Sequence, residues 1–185
     1  MPEELTQDQM RLLILLSRFT SPAKTREDEE TWIKKIPLGS LINRGIRTKV
    51  FRDYDIVPTL IDYMGTSRYA NVSKEGEDDI ADLREMGFVE RLKLATSHHV
   101  YVSAYRITRK GQALLSSFDK KHHDMVDWLV KCKKCGNRFD IEAREEAPVL
   151  LCKTCNTIEK VPIFQIEELA YVSSPFLSNI WLPPD

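Results

Sequence analysis

Cysteine is scarce in this sequence: four in 185 residues, none before Cys132. Whatever they do is confined to residues 132–155. No apolar run approaches the roughly 18 residues that a membrane-spanning helix needs, so no membrane partner is expected. The opening stretch, "MPEELTQDQM", lacks the basic charge of a signal or transit peptide and is acidic instead. The expected compartment is the cytoplasm, with a nucleoid-associated place in a prokaryote and a nuclear one in a eukaryote. Thiols stay reduced there, which favours metal ligation over disulfides for paired cysteines. A surplus of positive charge is missing too: 27 Lys and Arg meet 28 Asp and Glu, for a net charge of −1. That balance argues against a chain given over as a whole to nucleic acid. No activated nucleophile, acid–base pair or glycine-rich phosphate loop stands out. The chain is therefore expected to be no enzyme and to take no small-molecule substrate.

What is there begins with the cysteines. Cys132-x-x-Cys135 and Cys152-x-x-Cys155 stand 16 residues apart. A C-x-x-C turn aims two thiolates at one point, and two such turns supply a tetrahedral set. Four thiolates close the coordination shell of Zn2+ and leave no position for water, which makes a site structural rather than catalytic. Iron in the same cage, as in rubredoxin-like sites, uses the same C-x-x-C-G opening. Gly136 follows the second cysteine, where a knuckle turn often needs φ > 0. "NRFDIEA" and "APVLLC" flank the gap as short strands. The motif resembles a zinc ribbon, although "CKTCN" departs from the C-P-x-C-G of many ribbon knuckles. Four thiolates around Zn2+ carry a local charge of about −2, and Lys131, Lys133, Lys134 and Lys153 are placed to offset it.

The body before the cysteines opens on "LTQDQMRLLILLSRF". Thr6 with Gln9 three residues on is a capping-box pattern, and the apolar residues that follow predict a buried helix with a wide apolar face. "SPAKTREDEE" is polar and reads as a loop. "IPLGSLINRG" and "DIVPTLIDYMG" read as short helices, with Gly45 and Gly65 as stops. A helix is expected over roughly 74–86, capped by Ser73 and ended by Gly87. Strands over roughly 88–95 and 100–107 then flank a short loop, and a helix begins near Arg109. Helix, glycine, hairpin and "YRITRKGQALL" resemble a winged helix-turn-helix domain. "EMGFVER" is similar to its third helix running into the first wing strand, and the resemblance covers about residues 5–118. Winged helix first and zinc ribbon second is also the order of the general transcription factor E family. That resemblance implies a factor that docks on RNA polymerase and helps it open promoters.

Four segments follow: a winged-helix domain at 1–118, a linking helix at 119–130, a zinc ribbon at 131–164 and an apolar C-terminal tail at 165–185. The fold class expected is α+β. The linking helix "KKHHDMVDWLV" has Met125, Trp128 and Leu129 for an apolar side and is able to continue the helix that starts near Arg109. His98, His99, His122 and His123 read as exposed loop and linker histidines. In the tail, Phe176, Leu177, Ile180, Trp181 and Leu182 have to be buried, on the protein's own body or against a partner. Phe176, Ile180 and Trp181 are the candidate partner residues.

The third helix is the one that enters the major groove in DNA-binding winged helices. Here Ile80 and Leu83 point to the core, and the remaining face holds Glu75, Glu77, Asp78, Asp79, Asp82 and Glu85, against Lys74 and Arg84 as its bases. Placing that face against phosphates is repulsive. Two basic surfaces remain. Residues 34–52 carry six bases and no acid, namely Lys34, Lys35, Arg44, Arg47, Lys49 and Arg52, and the wing adds Arg91, Lys93 and Arg106, with Arg109 and Lys110 beyond. Either these neutralise acids of the same domain or they hold a phosphate backbone by charge and shape. The function expected is non-catalytic: a transcription-associated factor that docks on a larger, RNA polymerase-like assembly, with zinc as cofactor and auxiliary nucleic-acid contact. The alternatives are a dimeric DNA-binding regulator and a winged-helix adaptor outside transcription.

Overall fold

Thr6 starts the first element in the computed structural model, which describes residues 5–22, 29–95, 102–161 and 163–164. Its side chain accepts from the Gln9 N–H at 3.1 Å, and the Gln9 side chain accepts from the Thr6 N–H at 3.0 Å. This capping box begins α1 (Gln7–Phe19), in which Leu12 to Leu16 are all fully buried. Then come β1 (Ile33–Lys34), α2 (Lys35–Arg47), β2 (Val57–Tyr63), β3 (Thr66–Val72), α3 (Lys74–Glu85), β4 (Val89–Leu94) and β5 (Val102–Ile107). α4 (Arg109–Leu114), a 3-10 turn at Leu115–Ser117 and α5 (Lys120–Leu129) lead to β6 (Asp140–Glu142), β7 (Val149–Leu151) and β8 (Ile158–Lys160). The architecture is mixed α+β, with three small antiparallel sheets ordered β1-β5-β4, β2-β3 and β6-β7-β8.

The segment 57–65 is a correction. "DIVPTLIDYMG" was expected to be helical and instead supplies β2 and the turn into β3. Val57, Thr59, Ile61 and Tyr63 alternate at the strand period, and Pro58 is tolerated because a two-stranded ribbon has only edges. Tyr63 pairs with Thr66 across Met64 and Gly65, whose φ angles are 50° and 78°. Two successive positive φ values make the two-residue hairpin turn that matches strand twist. Gly65 is therefore the hinge of a hairpin and not a helix stop.

The helix over 74–85 ends near Gly87 (φ 77°) as expected, and Ser73 caps it through the Gly76 N–H at 3.2 Å. α4 and α5 are separate helices, with extended Phe118 between them. Gly111 lets α4 lie against the start of β4, because a Cβ there would sit 2.4 Å from the Phe88 carbonyl oxygen. One apolar core runs through the whole body. Leu12, Leu41, Phe51, Leu83 and Ile107 share it with Val126 and Leu129 of α5 and with Phe139, Leu150 and Val161 of the cysteine segment. His98 and His99, and the tail with Phe176, Leu177, Ile180, Trp181 and Leu182, lie outside the described residues.

Candidate metal centre

Two turns of near-identical construction carry the cysteines. In the first, the Gly136 N–H donates to the Cys132 carbonyl at 2.8 Å and the Cys132 N–H donates to the Asn137 carbonyl at 2.7 Å. In the second, the Asn156 N–H donates to the Cys152 carbonyl at 2.8 Å and the Cys152 N–H to the Thr157 carbonyl at 2.9 Å. Each turn needs a left-handed residue just after its second cysteine. Gly136 fills that place with φ 79° and Asn156 with φ 55°. Asparagine is among the few non-glycine residues that visit this region readily, so "CKTCN" builds the same knuckle as "CKKCG".

The four sulfurs lie within 4.8 Å of one another. Cys132 and Cys155 are 3.6 Å apart and Cys135 and Cys152 3.3 Å, well beyond a disulfide's bond of about 2 Å. A tetrahedron of thiolates around zinc, with Zn–S near 2.3 Å, sets its sulfurs about 3.8 Å apart. The cluster could hold a metal ion and is compatible with zinc. Cys132 and Cys152 are buried in the shared core, Cys155 is half-buried and Cys135 is exposed. The thiols are not equivalent. The Thr157 hydroxyl, 3.1 Å from Cys155 Sγ, draws that thiol down to about 6. At Cys135 the Asn137 backbone N–H pulls the same way most strongly of any single neighbour, but the hydrogen bonds with Cys152, Cys155 and Cys132 together with desolvation outweigh it and push the thiol up to about 11.

The surrounding lysines are partly committed. Lys153 pairs with Asp140 at 2.8 Å, and the Lys133 ammonium lies 5.5 Å from the Trp128 ring. Trp128 itself is 52% exposed, so the apolar side of α5 runs through Val126 and Leu129 and excludes it. His122 is a second correction: it is 4% exposed, and its Nδ1 accepts from Arg11 Nε at 3.2 Å. Arg11 also donates to Asp8 at 2.6 Å and to the Val50 carbonyl at 3.0 Å. This buried polar set ties α1, α5 and the loop after α2 together. Its sequence signal was the spacing of His122, Val126 and Leu129, which puts all three on one helical stripe.

The cysteine segment is clasped from two sides. On one side Arg44 of α2 pairs with Glu159 of β8 at 2.6 Å, donates Nε to the Leu129 carbonyl at 3.1 Å and stands 5.9 Å over the Phe139 ring. On the other side the β2–β3 hairpin reaches across. Tyr63 donates to the Arg144 carbonyl, Arg68 donates to the Glu146 carbonyl at 2.7 Å, and the Asn71 N–H donates to the Ile163 carbonyl at 2.7 Å.

The nine candidate nucleic-acid residues stand in several different settings. Arg44 serves the clasp just described. Arg106 pairs with Glu90 at 2.8 Å and Glu30 at 2.7 Å and stacks 4.3 Å over Trp32. Lys35 pairs with Glu77 of α3 at 2.7 Å, and Arg47 donates to Asn43 at 3.0 Å. Lys49 and Arg52 are exposed beyond the end of α2. Lys34, Lys35, Arg91 and Lys93 converge on one cleft, which Lys74 also borders. On α3, Ile80 and Leu83 face the core as expected, while Asp79 turns inward to accept from Gln9 at 2.9 Å and from the Tyr54 hydroxyl. Burial raises the Asp79 carboxyl above its usual range, against the pull of Tyr54 and Gln9.

The hairpin also shows a feature that the helical reading of 57–65 hid. Leu60 and Tyr69 stand opposite each other and are 57% and 42% exposed, with Met64 at the turn 40% exposed. Among the described residues, no helix is long and apolar enough to cross a membrane.

A family model described as the uncharacterized protein MJ1567 family matches residues 8–160, and the chain belongs to that family. No curated protein matches the chain.

Proposed function

We propose that this member of the MJ1567 family is a non-catalytic winged-helix and zinc-ribbon factor that docks on a larger, RNA polymerase-like assembly. The order α1, β1, α2, α3, β4, β5 with a β1-β5-β4 antiparallel sheet supports the winged-helix reading. Two matched knuckles with four converging thiols support zinc, held without an open position and so as a structural ion. When bound, the ion supplies a rigid joint between the two knuckles, and Cys132, Cys135, Cys152 and Cys155 would hold it.

The observation that carries docking is the β2–β3 hairpin. It stands between α2 and α3, where the two helices would otherwise meet through a short turn. It is braced against the cysteine segment, and it presents Leu60, Met64 and Tyr69 to solvent. A rigid ribbon with exposed apolar side chains is a surface for a protein partner. The exposed part of α3 stays acidic at Glu75, Asp78, Asp82 and Glu85, which disfavours groove reading. Nucleic-acid contact is auxiliary and falls to Lys34, Arg91 and Lys93.

The test is two-armed. RNA polymerase from the source cells is expected to co-purify with the wild type and to be lost with Leu60→Glu/Tyr69→Glu. A labelled mixed-sequence duplex is expected to bind weakly, more weakly with salt, and to be lost with Lys34→Glu/Arg91→Glu. Failure of both arms leaves an adaptor outside transcription and sinks the proposal.

A further inference from the structure

A cleft of about 780 Å³ opens between the first turns of α2 and α3, the hairpin β2–β3 and the β4–β5 sheet. Its volume lies within the roughly 300–1,000 Å³ of small-molecule sites, whereas protein interiors leave few voids larger than a water. The walls are aliphatic: Ile36, Leu38, Ile42, Ile61, Ile80 and Ile163 all border it. Its ionisable residues are Lys34, Lys35, Lys74, Arg91 and Lys93 against Asp62 and Glu77. Glu77 is taken by Lys35, and Asp62 accepts from Ser67 at 2.6 Å. Lys34, Lys74 and Arg91 make no ion pair among the described residues, so the cleft keeps a cationic surplus. Lys34, the cap of α2, makes no side-chain capping bond and the first turn of α2 carries no acid of its own, so the positive end of the helix borders the cleft with Glu77 of α3, already paired with Lys35, as its nearby anion.

Gly39 is the second observation. It lies inside α2, where glycine weakens a helix relative to alanine. Among the described residues no crowding explains it, because a Cβ there would meet only Ile163 Cδ1 at 3.9 Å, an ordinary contact. Gly39 borders the cleft, so its missing side chain widens the space. Asn71, on the same wall, is 2% exposed and its Oδ1 has no hydrogen-bond partner among the described residues.

We propose that this cleft binds an amphipathic anion: an aliphatic body against the isoleucine walls, and a carboxylate or phosphate head among Lys34, Lys74 and Arg91. The aliphatic lining sets the class, because a nucleobase would find only Tyr63 and Tyr105 as aromatic partners. The site is separate from the cysteines and does not depend on the docking role, although it shares Lys34 and Arg91 with the auxiliary nucleic-acid surface.

The test is calorimetric titration of the full chain with laurate below its micelle concentration, with dodecylamine as the opposite charge. Saturable one-to-one binding of laurate is expected, at least about tenfold tighter than dodecylamine. Gly39→Leu fills the space without touching the rim and is expected to weaken laurate at least about tenfold with no loss of thermal stability. Lys34→Glu/Arg91→Glu is expected to weaken laurate and spare dodecanol. Equal binding of both charges, no saturable binding, or a Gly39→Leu variant that binds like wild type would overturn the proposal. So would displacement of laurate by a synthetic peptide of residues 165–185, which would give the cleft to a peptide. Co-sedimentation with phosphatidylglycerol vesicles without laurate binding would give the cations to a lipid surface instead, and would also overturn it.

Discussion

Replacing Arg44 by alanine should destabilise the whole body, although the residue sits in a run of six bases that reads as a solvent-facing patch. The guanidinium is only 16% exposed and Glu159 28%, so the pair lies between the surface and buried limits. Surface pairs contribute about 0–1 kcal/mol, and removing one partner of a buried pair costs about 3–5 kcal/mol. The Leu129 carbonyl at the end of α5 also loses its donor, at about 1 kcal/mol. Together these give about 2–3 kcal/mol. For a chain of this size each kcal/mol lowers the midpoint by roughly 2–4 °C. Urea and thermal unfolding of Arg44→Ala, Glu159→Gln and the double variant measure it, and a coupling energy above about 1 kcal/mol is expected. Arg44→Lys should recover less than half, because an ammonium lacks the planar fork that reaches two acceptors. A loss below about 0.5 kcal/mol, or separate unfolding of the cysteine segment at wild-type stability of the rest, would refute the reasoning. The folded Arg44→Ala variant should bind duplex DNA as the wild type does.

Three further outcomes are expected. Gly111→Ala places a Cβ 2.4 Å from the Phe88 carbonyl, against backbone that cannot yield cheaply; a loss of about 3 kcal/mol or failure to fold should appear in urea unfolding. Thr6→Ala removes the capping box and should cost about 1 kcal/mol by the same assay. Burial, then the neighbouring Arg11, holds the His122 pKa below its ordinary 6.5. The unfolded chain therefore takes up the proton first, and stability is present above about pH 6.5 and declines as pH falls below it. Thermal midpoints measured across pH 8 to 5 should show that decline, and His122→Gln should flatten it.

What was legible in the chain followed from local chemistry. Two C-x-x-C pairs pointed to the four-cysteine cluster because knuckle turns are local, and Gly136 was readable because glycine advertises positive φ. Asn156 does the same job under a residue that does not advertise it. The segment 57–65 misled because a glycine after an apolar run serves equally as a helix stop or as half of a hairpin turn. The strand alternation of Val57, Thr59, Ile61 and Tyr63 was the signal to follow. The partners of Arg44 and His122 were unreadable for another reason: Glu159 and Arg11 lie 115 and 111 residues away, although the helical spacing of His122 with Val126 and Leu129 already signalled its burial. Side chains read as solvent-facing become internal when distant segments arrive, and the cleft likewise exists only once α2, α3, the hairpin and strands β4 and β5 surround it.

The most direct measurement is metal content and sulfur coordination of the full-length protein, by elemental analysis with X-ray absorption at the metal edge. One zinc per chain with four sulfurs near 2.3 Å, and a collapse of thermal stability when a chelator removes it, is the result expected from knuckles built into the common core. A metal-free protein of unchanged stability, an iron spectrum, or a shell containing nitrogen or oxygen would contradict a closed, structural four-thiolate zinc centre.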